Sequence, residues 1–202
     1  MRKIIVSEMV SVDGFYSGPN GELDWHVVDE EFNAYAKKLL DDADILIFGR
    51  RTYEMFASFW PRVLEESASS SAASPHGPGY SPQMRAMAVW LDKTPKLVFS
   101  RTLAEVGWRG ARLLRQIDAA EIEALKRQPG ENMIMFGSGQ VASRLTELGL
   151  IDEYQLVVNP LFLGSGRALL GAISKSVRLE LLEAKSFASG NVMLRYAPTA
   201  RH

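Results

Sequence analysis

Arginine and hydroxyl side chains follow two apolar runs of the sequence, at the points where each run ends. In "LIFGRRTYE", Gly49 to Thr52 stand between a predicted buried strand and a predicted helix, and in "LVFSRTL", Ser100 and Arg101 follow another apolar run. Guanidinium and hydroxyl groups in such places bind a phosphate dianion through charge-assisted hydrogen bonds. A solvated helix start explains the first segment equally well, and a polar strand end explains the second more simply. The presence of arginine and hydroxyl groups after both predicted strands favours an anion site, because the carboxyl ends of parallel strands lie at one edge of a sheet.

A glycine turn could supply a third contact to phosphate. In "MIMFGSGQVASRL", Gly137, Ser138 and Gly139 separate an apolar strand from a helical pattern. Backbone N–H groups at a helix N-terminus can cradle a pyrophosphate, but the glycines could also serve a tight turn with positive φ. Ala142 stands at the third position of G-x-G-x-x-G, where the dinucleotide motif tolerates alanine. The motif is weak by itself because it stands late in the chain, and the two arginine segments strengthen it.

The loop "SVDGFYSGPNGELDW" carries a carboxylate and an aromatic ring that could contact a substrate. Asp13 and Gly14 follow the first strand, where they could also form a simple turn. Trp25 could be a surface anchor, or it could belong to a lid over a flat heterocycle. Spacing alone slightly favours the structural explanation for these residues.

Strands and helices alternate over the first three quarters of the chain, and three strands without intervening helices follow. Apolar runs predict strands in "KIIVSEMV", "DILIFG", "KLVFS" and "NMIMFG", and helical spacing predicts helices in 29–42, "RRTYEMFASFW", "AAEIEALKRQ" and "QVASRLTELG". This order predicts an α/β fold with a mixed, mostly parallel central sheet flanked by helices and antiparallel strands at the C-terminal edge. Residues 1–202 are interpreted as one domain, and the Ser/Ala/Pro/Gly-rich segment 64–82 as a flexible insertion.

Composition excludes several classes of site and partner. The chain has 202 residues and no cysteine, which excludes disulfides, thiolate catalysis and cysteine-ligated metals, and no metal site is predicted. A net charge of −1 gives no reason to expect nucleic acid or an anionic membrane as a partner. The N-terminal apolar run is broken by Ser7 and Glu8, so it is too short for a signal peptide. No stretch approaches the ~18 apolar residues of a membrane helix, and the expected location is the cytoplasm.

Taken together, these motifs resemble one known superfamily. The segments "SVDGF", "LDW", "LIFGRRTYE", "LVFSRTL" and "FGSGQVASRLTELGLIDEYQLVVNPLFLG" are similar to the dihydrofolate reductase-like superfamily. Within it, they resemble the reductase domain of the bacterial bifunctional riboflavin-biosynthesis deaminase–reductase. The similarity runs in order over most of the chain outside 64–82. It implies a dihydrofolate reductase-like fold, NADPH as the cofactor, a small heterocyclic substrate and a homodimer.

The resemblance also implies roles for individual residues. The segment Arg50 to Thr52 would hold the adenosine 2′-phosphate and neighbouring phosphates, Ser100 and Arg101 would lie on the adenosine side, and the glycine turn would cradle the pyrophosphate. The implied cofactor-binding residues are Gly49, Arg50, Arg51, Thr52, Ser100, Arg101, Gly137, Ser138, Gly139, Gln140 and Val141. The implied substrate contacts are Asp13, Gly14, Trp25 and Phe136. Asp13 is also the candidate proton donor, with an ordered water as the alternative.

Two departures from the family pattern concern the substrate. Riboflavin-pathway reductases typically carry a glutamate immediately before the glycine turn, where this chain has Phe136. Dihydrofolate reductases bind the pteridine through a carboxylate on the first helix, and the acidic residues at 29–31 do not align with it. Phe136 therefore predicts that the phosphoribosyl-pyrimidine is a poor substrate and a flatter heterocycle a better one, unless its ring points into the core. Zinc deaminases need a P-C-x-x-C pair, so a second protein would perform any deamination.

Three functions are compatible with the sequence. The favoured one is an NADPH-dependent reductase that transfers a hydride to a heterocycle, similar to 5-amino-6-(5-phosphoribosylamino)uracil reductase. The alternatives are a dihydrofolate reductase and a non-catalytic NADPH-binding protein. The arginine pair after the second strand predicts a preference for NADPH over NADH, which substitution of Arg51 by alanine should reduce.

Overall fold

The computed structural model describes residues 1–69 and 80–199. The strands within these residues are β1 (Ile4–Ser11), β2 (Phe15–Ser17), β3 (Ala43–Gly49), β4 (Lys96–Phe99), β5 (Ala111–Leu114), β6 (Asn132–Phe136), β7 (Glu153–Asn159), β8 (Arg167–Ala168), β9 (Leu179–Ser186) and β10 (Val192–Pro198). The helices are α1 (Glu30–Asp41), α2 (Arg50–Ser69), α3 (Pro82–Lys93), α4 (Ala119–Arg127) and α5 (Gly139–Glu147). Helices are interspersed among the strands as far as β7, and the strands after it have no helix between them.

Eight of these strands form one sheet in the order β5-β4-β3-β6-β1-β7-β10-β9, and β2 pairs with β8 in a separate ribbon. Neighbouring strands from β5 to β7 are parallel, whereas β10 runs antiparallel to both β7 and β9. Strand β1 is central, so that Ile5 pairs with Ile134 on one side and Glu153 on the other. The predicted α/β fold, with its mostly parallel sheet and antiparallel strands at the C-terminal edge, is confirmed.

Helices cover both faces of the sheet. In β3, Ile47 packs in the cluster that contains Leu145 of α5, whereas Phe48 packs in the cluster that contains Leu91 of α3. Strands covered on both faces are apolar at nearly every position, which is why these runs were recognisable in the sequence. None of the described helices is long and apolar enough to span a membrane.

Side-chain caps fix the starts of two helices on the same face. Helix α1 begins after Asp29, whose carboxylate accepts a hydrogen bond from the N–H of Phe32 at 2.7 Å. Helix α3 begins after Ser81, whose hydroxyl accepts from the N–H of Met84 at 3.2 Å, and Pro82 occupies the first turn. The sequence analysis did not predict α3, although serine followed by proline is a typical helix start.

The structure describes only part of the segment 64–82 that was predicted as a flexible insertion. Residues 64–69 continue α2, and residues 80–82 lead into α3. Residues 70–79 lie outside the described residues. Helix α2 is therefore longer than the sequence analysis expected and continues through Pro61.

A buried ammonium group joins α4 to the entrances of β1 and β7. Lys126 is only 4% exposed, and its Nζ donates to the carbonyl oxygen of Leu150 at 3.2 Å and to Oδ1 of Asp152 at 2.9 Å. Asp152 also accepts the backbone N–H of Ile4 at 2.8 Å. A buried cation is tolerated only when it is paired and hydrogen-bonded, so this contact fixes where α4 meets the sheet.

Substitution of Lys126 by methionine tests this contact. Methionine keeps an unbranched apolar side chain but leaves the Leu150 carbonyl and the Asp152 carboxylate without their donor. The free energy of unfolding should fall by about 1.5–3 kcal/mol, the usual contribution of hydrogen bonds to charged groups. Lys93→Met, at an exposed position in the last turn of α3, is the control and should change stability by less than about 0.5 kcal/mol. Urea unfolding measures both, and equal effects would contradict the assignment.

Candidate active site

A groove of about 1070 Å³ runs along the carboxyl ends of β4, β3 and β6. Its walls come from the turns that follow these strands and from the segment around β8. The sequence-predicted cofactor residues that line it are Gly49, Arg50, Arg51, Thr52, Ser100, Arg101, Ser138, Gly139, Gln140 and Val141. The remaining one, Gly137, lines the adjoining cavity. The structure thus brings together three strand ends that are far apart in the sequence.

Positive charge dominates the groove. The arginines that line it are Arg50, Arg51, Arg101, Arg115, Arg144 and Arg167. Arg50 is held by the carboxylate of Glu54 at 3.0 Å. In contrast, Arg51, Arg101 and Arg167 have no ion-pair partner within the described parts of the chain. Uncommitted guanidinium groups at one edge of a sheet are suited to bind a polyanion.

A second cavity, of about 490 Å³, adjoins the groove and is mainly apolar. The apolar and aromatic side chains in its wall, from α1, α2, β6 and the loop after β2, include Leu23, Phe32, Tyr35, Leu39, Met55, Phe56, Trp60 and Phe136. Tyr16, Arg51, Thr52 and Arg167 line both cavities, so the groove and this pocket meet at these four residues. A cavity of this size with aromatic walls is suited to a small, flat ligand.

Steric contacts explain why glycine occupies both positions of the glycine turn. Gly137 has φ +57°, and a Cβ atom there would lie 2.9 Å from Oγ1 of Thr52. At Gly139, a Cβ atom would lie 2.8 Å from the carbonyl oxygen of Leu169. The close approach of neighbouring segments therefore requires glycine at both positions, whether or not a phosphate also binds there.

The hydroxyl of Ser138 joins the glycine turn to the arginine turn. It accepts the buried N–H of Gly49 at 2.8 Å and donates to Oγ1 of Thr52 at 3.0 Å. Ser138 has φ 63°, a left-handed conformation that residues other than glycine rarely adopt. Its carbonyl oxygen accepts the N–H groups of Val141 at 2.8 Å and Ala142 at 3.0 Å, but its side chain makes no capping bond to the N–H groups at the start of α5. One hydroxyl thus sets the separation of two walls of the groove.

Substitution of Ser138 by alanine and by glycine separates the contribution of its hydroxyl from the strain of its left-handed backbone. Ser138→Ala removes the hydroxyl, leaves the Gly49 N–H without an acceptor and keeps the left-handed strain. The free energy of unfolding should fall by about 1–3 kcal/mol, the usual cost of an unsatisfied buried group. Ser138→Gly loses the same hydroxyl but relieves the strain, so its loss should be smaller by about 1–2 kcal/mol. Chemical denaturation of the wild type and both variants measures these free energies. Wild-type stability in Ser138→Ala would contradict the proposed role of the hydroxyl.

The structure does not place Asp13 in either cavity. Its carboxylate accepts hydrogen bonds from Oγ of Ser11 at 2.6 Å and from the N–H groups of Gly164 at 2.7 Å and Leu163 at 3.1 Å. The hydrogen bond from Ser11, with smaller contributions from these amides, lowers the pKa of Asp13 below its usual value. An ionised carboxylate that ties the end of β1 to the segment after β7 is not positioned to donate a proton to an occupant of the pocket.

The other predicted substrate contacts divide between the surface and the pocket. Gly14, with φ 84°, forms a turn and lines neither cavity. Trp25 packs edge-on against His26 with ring centroids 4.4 Å apart, and it is His26 that lines the pocket. Phe136 lines the pocket, and its ring also stacks on that of Phe56 with centroids 6.3 Å apart. Both explanations considered for Phe136, a pocket wall and a core residue, therefore describe its position.

A buried carboxyl that the sequence analysis passed over lies in the pocket wall. Glu8 is on the central strand β1, and its Oε2 atom is buried with no hydrogen-bond partner in the described residues. Burial raises the pKa of Glu8 to about 8, against a smaller opposing effect of the backbone N–H groups of Gly137 and Met9. The carboxyl is therefore mainly protonated at neutral pH. Its signal was present in the sequence, because glutamate is rarely buried within a strand unless it is paired.

Two further features of the pocket were not foreseen. His26 has an Nε2 atom that is buried without a hydrogen-bond partner among the described residues, and burial lowers the pKa of His26 to about 4. The imidazole is therefore neutral at neutral pH. Helix α1 contributes only apolar and tyrosine side chains to the pocket, namely Phe32, Tyr35, Ala36, Leu39 and Leu40. The carboxylate that a dihydrofolate reductase would carry on its first helix has no counterpart in this lining.

Comparison with known proteins identifies the fold and the family. Residues 2–193 match the family model of the RibD C-terminal domain. A structure of a putative riboflavin biosynthesis protein from Shewanella sp. PV-4 is similar with a TM-score of 0.68 and 23% identity, over 98% of this chain and 99% of that one. A deaminase/5-amino-6-(5-phosphoribosylamino)uracil reductase from Thermotoga maritima is similar with a TM-score of 0.63 and 11% identity, over 98% of this chain and 57% of that one.

The same fold extends to a dihydrofolate reductase from Enterococcus faecalis, described as complexed with NADP(H). The similarity has a TM-score of 0.57 and 14% identity, over 98% of this chain and 97% of that one. The predicted dihydrofolate reductase-like fold is therefore confirmed, and so is the resemblance that the sequence motifs carried. Because the family model covers nearly all of its residues, this chain belongs to the RibD C-terminal domain family.

Proposed function

We propose that this protein is an oxidoreductase that reduces a small nitrogen heterocycle with NADPH. The observation that carries the proposal is the junction of a cationic groove with an aromatic pocket at Tyr16, Arg51, Thr52 and Arg167. Hydride transfer requires direct contact between cofactor and substrate, and two adjoining cavities of different polarity would allow such a contact. Membership of the RibD C-terminal domain family supports a reductase of the riboflavin-pathway type.

The volume of the groove and its lining arginines would suit a dinucleotide. The uncapped N-terminus of α5 would bind the pyrophosphate through its backbone N–H groups. Arg51 and Arg167 would lie at the nicotinamide end, because they border the pocket as well as the groove. A bound nicotinamide would supply the hydride, while this chain's residues orient the two reactants and exclude water from the pocket.

The substrate we propose is a flat heterocycle related to the pyrimidines of the riboflavin pathway. Aromatic walls can hold such a ring by stacking, and the Phe136 ring cannot accept hydrogen bonds from a ribosyl group. The phosphoribosyl-pyrimidine itself is therefore expected to be a poor substrate. The absence of a carboxylate from the α1 side of the pocket lining disfavours a dihydrofolate reductase. Saturable NADPH oxidation with a panel of pyrimidines and pterins tests the proposal, and NADPH binding without turnover of any of them would favour a non-catalytic protein.

The adenosine end of the groove should select NADPH over NADH. Strand β4 lies on the side of β3 away from β6 and the pocket, so we expect Arg101 and Ser100 to contact the adenosine 2′-phosphate. Arg51 is closer to the nicotinamide end and is expected to contact phosphates that both cofactors share. This division refines the expectation from the sequence, in which Arg51 itself selected the 2′-phosphate.

Alanine substitutions test this division. Arg101→Ala should weaken NADPH binding about tenfold or more, because a lost charge-assisted contact costs about 1.5–3 kcal/mol, and it should leave NADH binding nearly unchanged. Arg51→Ala should weaken both cofactors to a similar extent. Arg109→Ala removes an exposed arginine outside the groove and should affect neither. Fluorescence titrations give the dissociation constants, and equal losses for both cofactors in Arg101→Ala would exclude a 2′-phosphate contact there.

We also propose that the protein is a homodimer. The outermost strand β9 is exposed along its whole length and carries Leu179, Leu181 and Leu182, each at least 40% exposed. An exposed apolar edge strand is a surface that soluble proteins normally cover. A dimer at micromolar concentration is expected in sedimentation, and Leu181→Asp should shift it towards monomer. Val89→Asp, at an exposed position on α3, should not, and a wild-type monomer under the same conditions would contradict the proposal.

A further inference from the structure

We propose that the buried carboxylate of Glu153, which lines neither cavity, positions the ring of Tyr35 in the wall of the pocket through the side chain of Gln155. It thereby sets how tightly the pocket binds its ligand. Glu153 and Gln155 are positioning residues, because Tyr35 is the one of the three that lines the pocket. The inference deepens the proposed function, because it rests on the pocket as the substrate site.

A row of polar side chains crosses four neighbouring strands on the face that α1 covers. In the pairing register, Ser7 of β1 lies opposite Gln155 of β7, Gln155 lies opposite Arg195 of β10, and Arg195 lies opposite Glu183 of β9. Residues that pair directly point to the same face of a sheet. The next positions on this face along three of these strands are apolar and pack in one cluster, namely Met9, Val157 and Met193. The row is therefore a polar line within an apolar layer, and it runs from the pocket, which Ser7 lines, to the exposed edge of the sheet.

Hydrogen bonds join this row to Tyr35 and to a buried charge. The hydroxyl of Tyr35 donates to Oε1 of Gln155, and Nε2 of Gln155 donates to Oε1 of Glu153 at 2.7 Å. The same carboxylate oxygen accepts the Nε–H of Arg195 at 2.7 Å, and Nη1 of Arg195 donates to Oε2 of Glu183 at 2.7 Å. Glu153 is only 1% exposed. One chain of hydrogen bonds thus links α1, β7, β10 and β9.

The charge of Glu153 gives this chain a single direction. Burial alone would raise the pKa of Glu153, but the hydrogen bonds from Arg195 and Gln155 outweigh burial and hold the pKa below its usual value. The carboxylate is therefore ionised at neutral pH, and an ionised carboxylate only accepts hydrogen bonds. The NH₂ group of Gln155 must face it, which leaves the amide oxygen of Gln155 for Tyr35. The hydroxyl of Tyr35 must then donate.

Attachment at both ends fixes the ring of Tyr35. Its backbone belongs to α1 and its hydroxyl is held on β7, so the ring spans the gap between helix and sheet. The ring also packs against those of Phe32 and Phe187, with centroids 6.2 Å apart in both pairs. Tyr35 is half-buried and lines the pocket. A pocket wall that is already ordered loses less conformational entropy when a ligand binds.

Stability alone does not account for a charge in this place. A buried ion pair often stabilises a fold no more than well-packed apolar side chains of similar volume would. Apolar side chains at these positions could not orient the amide of Gln155, whereas the carboxylate of Glu153 does. We therefore attribute the buried charge to the conformation that it imposes on Gln155 and Tyr35.

A double-mutant cycle tests this positioning role. The probe is quinazoline-2,4(1H,3H)-dione, a pyrimidine ring fused to a benzene ring, titrated calorimetrically with and without saturating NADP⁺. Glu153→Met and Tyr35→Phe should each raise its dissociation constant about three- to tenfold, the usual cost of ordering one side chain on binding. The double variant should bind as weakly as each single variant, because both substitutions release the same ring. Losses that multiply in the double variant would overturn the proposal.

Two further variants separate positioning from a general loss of structure. Gln155→Met breaks the chain but keeps the ion pair of Glu153 with Arg195, so it should weaken probe binding as Tyr35→Phe does, even if Glu153→Met does not fold. Glu180→Met, at an exposed position on β9, is the matched control and should bind the probe as the wild type does. The dissociation constant of NADP⁺ should change less than about twofold throughout, because the chain does not line the groove. Equal losses of NADP⁺ and probe binding would overturn the proposal.

The position of the ring can be observed without a ligand. The chain has six tyrosines, and the ¹³C NMR signal of the Tyr35 Cζ atom is the one absent from Tyr35→Phe. This signal should shift in both Gln155→Met and Glu153→Met, whereas that of Tyr53, whose hydroxyl accepts the N–H of Trp108, should not. An unchanged Tyr35 signal in Glu153→Met would overturn the proposal. Failure of the wild type to bind NADP⁺ would overturn only the proposed function.

Discussion

The hydroxyl of Ser138 holds together the two turns on which both cavities depend. It bridges the N–H of Gly49 and the hydroxyl of Thr52, across β3 and β6, which are neighbours in the sheet. One turn carries the arginines, and the other carries the free N-terminus of α5. Their separation therefore sets the width of the groove. Ser138 adopts a left-handed conformation in this position, a local strain that persists only where surrounding contacts over-determine it.

One physical effect gives the two cavities their different chemistry. Removal from water disfavours the charged form of an ionisable group, so burial keeps Glu8 mainly protonated and His26 neutral at neutral pH. In contrast, Arg51 and Arg101 in the walls of the groove are exposed. These arginines are accessible to an anion. A ligand pair with an anionic cofactor and a flat, weakly polar ring matches this division.

The sequence was sufficient for the fold because strands covered on both faces leave long apolar runs, and the order of elements then restricts the topology. The sequence was also sufficient to predict most of the residues that line the groove, because the carboxyl ends of parallel strands lie at one edge of the sheet. The sequence could not distinguish two explanations where one pattern is compatible with both. A carboxylate after a strand, Asp13, was assigned to the site, but its hydrogen bonds to Leu163 and Gly164 depend on a contact 150 residues away in the chain.

Glu8 and α3 were missed for different reasons. In the sequence, Glu8 stands next to Ser7 as a polar interruption of an apolar strand, and only the structure shows that it lies beside the pocket, where β6 has ended at Phe136. Helix α3 had a recognisable start at Ser81 and Pro82, but the Ser/Ala-rich composition before it suggested a loop. The sequence analysis gave more weight to the composition of this segment than to the helix cap at Ser81 and Pro82, although the cap is the more direct physical signal.

The sharing of Tyr16, Arg51, Thr52 and Arg167 by the two cavities has a thermodynamic consequence. A molecule in the groove would form part of the wall that a molecule in the pocket contacts, so the two binding equilibria are linked. Linkage is reciprocal: if one occupant strengthens the binding of the other by some factor, it is itself held more tightly by that factor. Cooperative binding of the two occupants would follow from this arrangement without any change in the backbone.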